Sequence, residues 1–222
     1  MPRPTAPDPR ALEQAFSQLP RMLAEVGIMP SARQLEMLRT HFELLVRWNS
    51  RMNLTAIRDP LEILQRHFVE SAYLTKVLEL GPGTLVDVGS GAGFPGLPVK
   101  VLSPETGVVL LEPVQKKAAF LKEVARSLGL PDIQVLSTRA ENADVQGDWV
   151  TIRAVKVTPT LLAVLGRLIV PRGTLAVFTV KRDAQAAMER HGGQFEWKVS
   201  PIPGQGGLVI LTGKCSTWNI PR

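Results

Sequence analysis

A glycine-rich loop constrains the fold of this chain more than any other feature of its sequence. The segment LVDVGSGAGFPG, residues 85–96, follows an apolar run and contains four glycines within eight residues. Glycine allows sharp backbone turns and lets a ligand approach without a Cβ in the way. In an α/β fold such a loop follows the first strand and holds a ligand at the carboxyl end of the sheet. The loop therefore predicts an α/β fold with a cofactor site.

Short apolar runs alternate with helical patterns after this loop, as expected for a doubly wound parallel sheet. The last two runs flank the segment SPIPGQGG, which predicts an antiparallel hairpin at the C-terminus. The predicted strands are 84–88, 108–111, 133–136, 149–152, 174–180, 195–199 and 208–212, and the predicted helices are 96–102, 114–128, 158–168 and 184–190.

The residues before the loop show helical patterns. Residues 1–9 contain four prolines and no apolar periodicity, so we expect a flexible tail. Three helices should follow: one over 11–26 with a kink at Pro20, one that begins at Ser31, and one over 61–78. We expect residues 10–80 to form a small helical unit and residues 81–222 to form the cofactor-binding domain.

Composition limits the partners. The chain has 26 Lys and Arg against 20 Asp and Glu, a net charge of +6, which favours a polyanionic partner without identifying it. Its single cysteine, Cys215, excludes an intrachain disulfide and a multi-cysteine zinc site. No run of about 18 apolar residues suggests a membrane span. We expect a monomeric cytoplasmic protein with no metal and no membrane partner.

Two cofactors compete for the loop. Gly91, Gly93 and Gly96 spell GxGxxG, and Glu112 follows at about the 20-residue distance of a ribose-binding acid, so a nucleotide-dependent oxidoreductase is one alternative. Asp87 favours S-adenosylmethionine, because that cofactor carries an ammonium and a sulfonium whereas a dinucleotide carries an anionic pyrophosphate. Asp87 and Gly89, followed by Gly91 and Gly93, resemble the first motif of class I methyltransferases. Glu112 would then accept hydrogen bonds from both ribose hydroxyls of the cofactor.

Two further segments belong to the same sheet edge. The loop after the third strand, which contains Arg139, Ala140 and Glu141, should lie near the adenine, although Arg139 and Glu141 could also form an exposed ion pair. Arg153 ends the fourth strand, where an arginine can meet a methionine carboxylate or a substrate phosphate. A structural salt bridge is the alternative for Arg153.

The residues also limit the methylation chemistry. Methylation of pyrimidine C5 needs a cysteine nucleophile after the fourth strand, and Cys215 follows the last predicted strand, 208–212. Adenine amino methylation usually accompanies an (Asn/Asp)-Pro-Pro-(Tyr/Phe) loop, and residues 151–156 contain none. Guanine N7 carries no proton, so its methylation requires alignment of N7, methyl and sulfur and no catalytic residue.

Five motifs resemble the glucose-inhibited division protein B family, the 16S ribosomal RNA guanine-N7 methyltransferases, which have the class I methyltransferase fold. The resemblance implies that Gly89, Phe94, Ala140, Glu141 and Arg153 contact the cofactor, that S-adenosylhomocysteine is the product, and that the partner is 16S ribosomal RNA of the small subunit. The motifs are WNSRMNLTAIRDP (48–60), RHFVES (66–71), DVGSGAGFPGLP (87–98), KKAAFLKEV (116–124) and RAEN (139–142).

The chain departs from the family pattern at four places. Glu112 and Glu70 stand where Asp is common, which keeps the charge. The segment IRAVKVTP replaces SRA and a run of small residues, and Lys181 precedes Arg182 where a lysine-glycine pair is usual. These last two changes fall on the substrate side, so a catalytically silent RNA-binding or assembly factor stays an alternative.

Basic residues surround the NLT segment of the helical unit. We expect Arg47, Arg51 and Arg58 to contact RNA phosphates, or else to form an ordinary solvated surface. Asn53, Arg66 and His67 are predicted to border the catalytic cleft. A buried His67 bonded to Glu70 is the alternative for that histidine.

Overall fold

The computed structural model describes residues 8–153, 157–191 and 195–215 of the 222-residue chain. Within them, one seven-stranded sheet has the order β3-β2-β1-β4-β5-β7-β6. Strands β1 to β5 are parallel, and β7 runs antiparallel to both β5 and β6. The strands are β1 (Gly83–Val88), β2 (Thr106–Leu111), β3 (Ile133–Leu136), β4 (Gly147–Arg153), β5 (Ile169–Val180), β6 (Phe195–Pro201) and β7 (Leu208–Cys215). The predicted doubly wound sheet and its C-terminal antiparallel hairpin are confirmed.

Helices cover both faces of the sheet. Because side chains alternate along a strand, Val108 and Leu110 enter one apolar layer while Val109 and Leu111 enter the other. The helices are α1 (Pro9–Phe16), α2 (Leu19–Glu25), α3 (Ala32–Met52), α4 (Pro60–Ile63), α5 (Glu70–Val77), α6 (Gly96–Leu102), α7 (Gln115–Leu128), α8 (Pro159–Arg167) and α9 (Lys181–His191), with a π-helical turn at Leu64–Val69 and a 3-10 turn at Ala140–Asn142. None of these described helices is long and apolar enough to span a membrane.

The first apolar layer joins the N-terminal helices to the sheet. It combines side chains such as Phe42 of α3 and Phe68 of the π-helical turn with Leu85 of β1 and Phe120 of α7. A shared layer of this kind makes the position of α3 and the π-helical turn depend on the sheet. The division of the chain into units at residues 80 and 81 stays a prediction.

Helix α3 begins where the sequence indicates. The Ser31 hydroxyl accepts a hydrogen bond from the Gln34 amide at 3.3 Å, and the Gln34 side chain accepts one from the Ser31 amide at 2.8 Å. This capping box satisfies two amides of the first turn. The Gln34 side-chain amide also donates to the Val101 carbonyl at 3.0 Å, which connects the start of α3 to α6. Asn53 ends the helix in the left-handed region, at φ +48°.

Two of the predicted helices are interrupted in the structure. The break in the first lies at residues 17–18, and Pro20 falls in the first turn of α2, where a missing amide hydrogen costs little. The predicted helix 61–78 begins at Pro60 and changes to π-helical geometry at Leu64–Val69. Helix α1 begins at Pro9, inside the segment predicted as a tail, while residues 1–7 lie outside the described part.

Candidate cofactor and substrate site

The glycine loop turns the chain at the carboxyl end of β1. The Gly89 amide donates to the Leu111 carbonyl of the neighbouring strand at 2.8 Å. Gly89, Gly91 and Gly93 have φ values of +72°, +58° and +89°, which residues other than glycine rarely adopt. A Cβ at Gly93 would also lie 2.4 Å from a methyl of Leu97. The predicted glycines therefore meet in one loop whose backbone requires them.

Glu112 follows β2 and is held against this loop. Its Oε2 accepts a hydrogen bond from the Gly91 amide and its Oε1 accepts one from the Val114 amide, both at 2.9 Å. The side chain is buried. Each carboxylate oxygen still has a free acceptor position, because a carboxylate can accept about four hydrogen bonds. Glu112 is thus a fixed acceptor beside the loop, as a ribose-binding role requires.

Asp87 closes the loop onto helix α6. Its Oδ2 accepts a hydrogen bond from the Gly96 amide at 3.0 Å, and a Cβ at Gly96 would lie 2.9 Å from that oxygen. Its Oδ1 is buried and has no hydrogen-bond partner among the described residues. Burial raises the pKa of Asp87 to about 7, against the lowering effect of the Gly96 amide. The structural role of Oδ2 is additional to the predicted one, and Oδ1 keeps its acceptor capacity.

Phe94 of the loop stacks with two imidazole rings. The His41 ring lies 4.7 Å from it at 18°, and the His67 ring lies 4.9 Å from it at 20°. His41 Nε2 donates to the Ala92 carbonyl at 2.8 Å, since a carbonyl can only accept. Burial lowers the pKa of His41 to about 4; burial, and next the charge of Arg153, lower that of His67 to about 3. Both histidines are therefore neutral near pH 7.

The NLT segment is organised by a buried asparagine. The Asn49 side chain accepts from the Thr55 amide at 3.0 Å, and the Thr55 hydroxyl lies 2.8 Å from His67 Nε2. The alternative that paired His67 with Glu70 is wrong, because Thr55 lies at the ring nitrogen instead. Of the three predicted cleft residues, exposed Asn53 accepts a hydrogen bond from Arg58, and no described contact joins Asn53 to His67.

A buried acid joins the helical unit to the end of β4. Glu70 is fully buried, and its Oε1 lies 2.9 Å from Arg66 Nε. Arg153 Nη2 donates to the Oε2 of Glu70 and also to the carbonyl of Arg66. Arg153 Nη1 is buried without a hydrogen-bond partner among the described residues. The salt bridge expected as an alternative is present, and it leaves Nη1 available to an anionic group.

The 3-10 turn after β3 carries the RAEN motif. Ala140 is half-buried and packs against the second apolar layer, while Glu141 is exposed. The Glu141 carbonyl accepts a hydrogen bond from Arg167 at 2.7 Å. Among the described residues no ion pair joins Arg139 to Glu141, so that alternative is wrong. Adenine contact by Ala140 and Glu141 stays a prediction.

The donors and acceptors at this edge match S-adenosylmethionine. Glu112 offers acceptors for ribose hydroxyls, Asp87 Oδ1 offers one for an ammonium, and Arg153 Nη1 offers a donor for a carboxylate. No group of three or more His, Cys, Asp or Glu side chains within the described ranges could hold a metal ion.

Four residues of this site were not predicted as site residues: His41, Asn49, Thr55 and Glu70. A signal existed for two of them. His41 interrupts the apolar stripe of α3 between Leu38 and Phe42, and buried polar residues in such a stripe need a specific partner. Thr55 belongs to the NLT segment that the sequence comparison singled out. Asn49 and Glu70 lie in the motifs WNSRMNLTAIRDP and RHFVES, but nothing local in the sequence indicated that they contact Thr55 and Arg153.

The parallel sheet with its antiparallel seventh strand, together with the glycine loop at the end of β1, defines the class I methyltransferase fold. Solved structures with this fold support the assignment. The tRNA m1G37 methyltransferase of M. jannaschii matches with a TM-score of 0.53 at 15% identity, covering 67% of this chain and 49% of that chain. The YcgJ protein of Bacillus subtilis matches with a TM-score of 0.55 at 11% identity, covering 67% and 99%.

Sequence relatives define the family. The family model described as rRNA small subunit methyltransferase G matches residues 34–201. The ribosomal RNA small subunit methyltransferase G of Roseiflexus sp. (strain RS-1) is 42% identical over 181 residues, which cover 76% of this chain and 77% of the relative. That of Geobacillus kaustophilus (strain HTA426) is 38% identical over 212 residues, covering 92% and 84%. The chain belongs to the rRNA small subunit methyltransferase G family, which confirms the resemblance.

Proposed function

We propose that this protein transfers a methyl group from S-adenosylmethionine to N7 of one guanine in 16S ribosomal RNA and releases S-adenosylhomocysteine. One observation carries the proposal: in a chain that belongs to this family, the glycine loop, Glu112 and Arg153 meet at the carboxyl ends of neighbouring strands. Membership of this family leaves the oxidoreductase and the silent assembly factor without support.

The cofactor supplies an electrophilic methyl group on a sulfonium. The backbone of Gly89, Gly91 and Gly93 lets the cofactor approach closely, and Glu112 accepts hydrogen bonds from its ribose hydroxyls. Asp87 Oδ1 accepts from its ammonium, and Arg153 Nη1 donates to its carboxylate. Phe94, Ala140 and Glu141 complete its contacts.

The reaction itself needs alignment more than acid–base chemistry. A bond forms between guanine N7 and the methyl carbon, the carbon–sulfur bond breaks, and its electron pair stays on sulfur. N7 has a lone pair and no proton, so neutral His41 and His67 have no proton transfer to perform. They hold Phe94 and the loop in place instead, and alignment supplies most of the rate.

The basic residues near the NLT segment are the proposed RNA contacts. Arg47 is paired with Glu123 at 2.9 Å and Arg58 with the Asn53 side chain, so both are held at the surface. Arg51 is exposed and has no ion pair among the described residues, so its charge is available for a phosphate. We further propose that the enzyme acts as a cytoplasmic monomer on small ribosomal subunits.

The test is methyl transfer from radiolabelled S-adenosylmethionine to small ribosomal subunits isolated from cells that lack the enzyme, followed by mapping of the labelled nucleotide. We expect one guanine to carry the label at N7. Label at another base or atom, or cofactor binding without transfer, would contradict the proposal. In a parallel assay, a nicotinamide dinucleotide should show no binding to the protein.

A further inference from the structure

Glu70 is placed unusually for an acidic side chain. It is the first residue of α5, it is fully buried, and it faces two arginines from different parts of the fold. Arg66 comes from the preceding π-helical turn and its side chain is 48% exposed, whereas Arg153 comes from the end of β4 and its side chain is 17% exposed. A buried carboxylate is costly unless it is paired, so this arrangement needs both partners.

The π-helical turn gives Arg153 its second contact. The Glu70 amide donates to the Gln65 carbonyl five residues earlier, which widens the turn. The Arg66 carbonyl in this turn accepts from Arg153 Nη2, the same nitrogen that bonds to Glu70. Two acceptors therefore hold one nitrogen of the guanidinium from the helical side.

A guanidinium is planar, so fixing one nitrogen to two acceptors limits where the other can point. Arg153 Nη1 is that other nitrogen, and it is buried without a partner among the described residues. The Arg153 guanidinium also lies 5.7 Å from the centre of the Phe178 ring, which restricts it on another side. Glu70, the Arg66 carbonyl and Phe178 all lie outside the glycine loop, so the direction of Nη1 is set from outside the cofactor motif.

We infer that Glu70 is a positioning residue: it orients Arg153 so that Nη1 binds the carboxylate of the cofactor, and so it controls cofactor affinity without touching the cofactor. The inference rests on the proposed function for the identity of the ligand. Glu70 would thereby make cofactor binding depend on a helix that the glycine-loop motif does not include. Without the charge of Glu70, the Arg153 guanidinium should move away from this position.

The test uses the full-length protein with three variants. Glu70→Gln removes the charge at nearly constant shape, and Glu70→Asp keeps the charge. Glu62→Gln is the matched control, because Glu62 is exposed on α4 and has no ion pair among the described residues. The Kd for S-adenosylmethionine is measured by calorimetry, and KM and kcat are measured with small ribosomal subunits. Thermal unfolding checks each fold.

For Glu70→Gln we expect Kd and KM for the cofactor to rise about 10- to 100-fold, the range found for residues that orient the ligands of a metal ion. At saturating cofactor, kcat and the KM for subunits should change less than about threefold, a margin well inside one tenfold step of 1.4 kcal/mol. Glu70→Asp should recover most of the affinity, and Glu62→Gln should match the wild type. A structural role alone would lower the unfolding temperature and kcat while leaving Kd of the folded fraction unchanged.

Wild-type cofactor affinity in folded Glu70→Gln would overturn the inference. If Glu70→Gln does not fold, Arg153→Lys decides, because it keeps the charge and removes the planar fork: it should weaken cofactor binding about tenfold or more, and unchanged Kd would overturn the inference. The wild type separates the two proposals. Cofactor binding by the wild type without transfer to subunits contradicts the function, while the variant affinities still test Glu70.

Discussion

The two sides of the site are built in different ways. On the cofactor side, the glycine loop and Glu112 are held by backbone amides, from Gly91 and Val114 to the carboxylate and from Gly89 to the next strand. On the helical side, contacts join side chains far apart in sequence, such as Arg153 with Glu70, 83 residues apart. Backbone-held groups depend on local geometry, whereas side-chain-held groups depend on how the N-terminal helices pack. The cofactor side should therefore be most sensitive to substitutions within its loop, and the helical side to substitutions that are distant in sequence.

Gly93→Ala should have the largest effect, because it combines a left-handed φ with a Cβ only 2.4 Å from Leu97. We expect the free energy of unfolding to fall by about 2–5 kcal/mol from backbone strain and overpacking, with loss of cofactor binding. Urea unfolding and a cofactor titration measure this. Gly129→Ala is the control, because φ is +61° there but a Cβ meets no atom within 4 Å. Equal losses in the two variants would show that close packing in the loop is unimportant.

Glu112→Gln should weaken cofactor binding with a smaller effect on the fold. One side-chain oxygen would remain to accept from two amides, those of Gly91 and Val114, and the charge would be lost. We expect a loss of about 2–3 kcal/mol in cofactor binding, since hydrogen bonds to charged groups have this magnitude. Calorimetric titration with S-adenosylmethionine checks it. Unchanged affinity would mean that Glu112 only supports the loop.

The helical side can be tested through pH. The pKa of His41 is lowered from 6.5 to about 4 by burial, so the unfolded chain takes up a proton below pH 6.5 that the folded chain does not. His41 therefore lowers the free energy of unfolding as pH falls from 6.5 toward 4 and has no such effect above pH 6.5. Between pH 7 and pH 5 the loss of stability amounts to about 2 kcal/mol. Asp87 opposes it, because its raised pKa favours the folded state on acidification.

His41→Phe removes this titration while keeping an aromatic ring against Phe94. Compared with the wild type, the variant should lose about 2 kcal/mol less stability between pH 7 and pH 5, measured by urea unfolding at both values. The Asp87 contribution cancels in that difference. At pH 7 the variant should be less stable by about 1–3 kcal/mol, because the Ala92 carbonyl loses its donor. Parallel pH curves for both proteins would show that His41 is not a buried neutral ring.

Arg51→Ala should have the smallest effect and should leave the cofactor side unchanged. Because Arg51 is exposed and has no described ion pair, we expect weaker binding to small subunits and a salt dependence reduced by about one phosphate contact. Filter binding at several salt concentrations measures the slope. Arg21→Ala is the control, since Arg21 is equally a surface arginine but pairs with Glu25 on α2. An unchanged slope for Arg51→Ala would remove this residue from the RNA contacts.

The sequence predicted the cofactor side better than the helical side, for a physical reason. The glycine loop, β1 and β2 lie within residues 83–112, so their spacing alone places Gly91 next to Glu112. The family and the class I fold are confirmed by the comparisons, while the roles of the individual site residues stay predictions. The doubly wound topology followed from the alternation of strands and helices.

The helical side could not be derived in this way. The alternative in which His67 bonds to Glu70 is wrong because the loop at Thr55 folds back and its hydroxyl lies at the ring nitrogen. The pairing of Arg153 with Glu70 depends on how the π-helical turn packs on the end of β4, which no periodicity encodes. The apolar stripe of α3 marks His41 as a buried polar residue, but it does not identify its partner, the Ala92 carbonyl, which lies 51 residues away.

The π-helical turn at Leu64–Val69 has a consequence for the phase of the helix that contains it. Such a turn holds one more residue than an α-helical turn, so side chains after it are rotated by about 100° relative to an uninterrupted helix. Helix α4 packs against α1, while α5 packs against α6, and the offset allows each half to keep its own neighbour. If this segment became regular α-helix at the same length, α5 would rotate by that angle and Glu70 would turn away from Arg153. The direction of Glu70 therefore depends on the π-helical geometry of the turn.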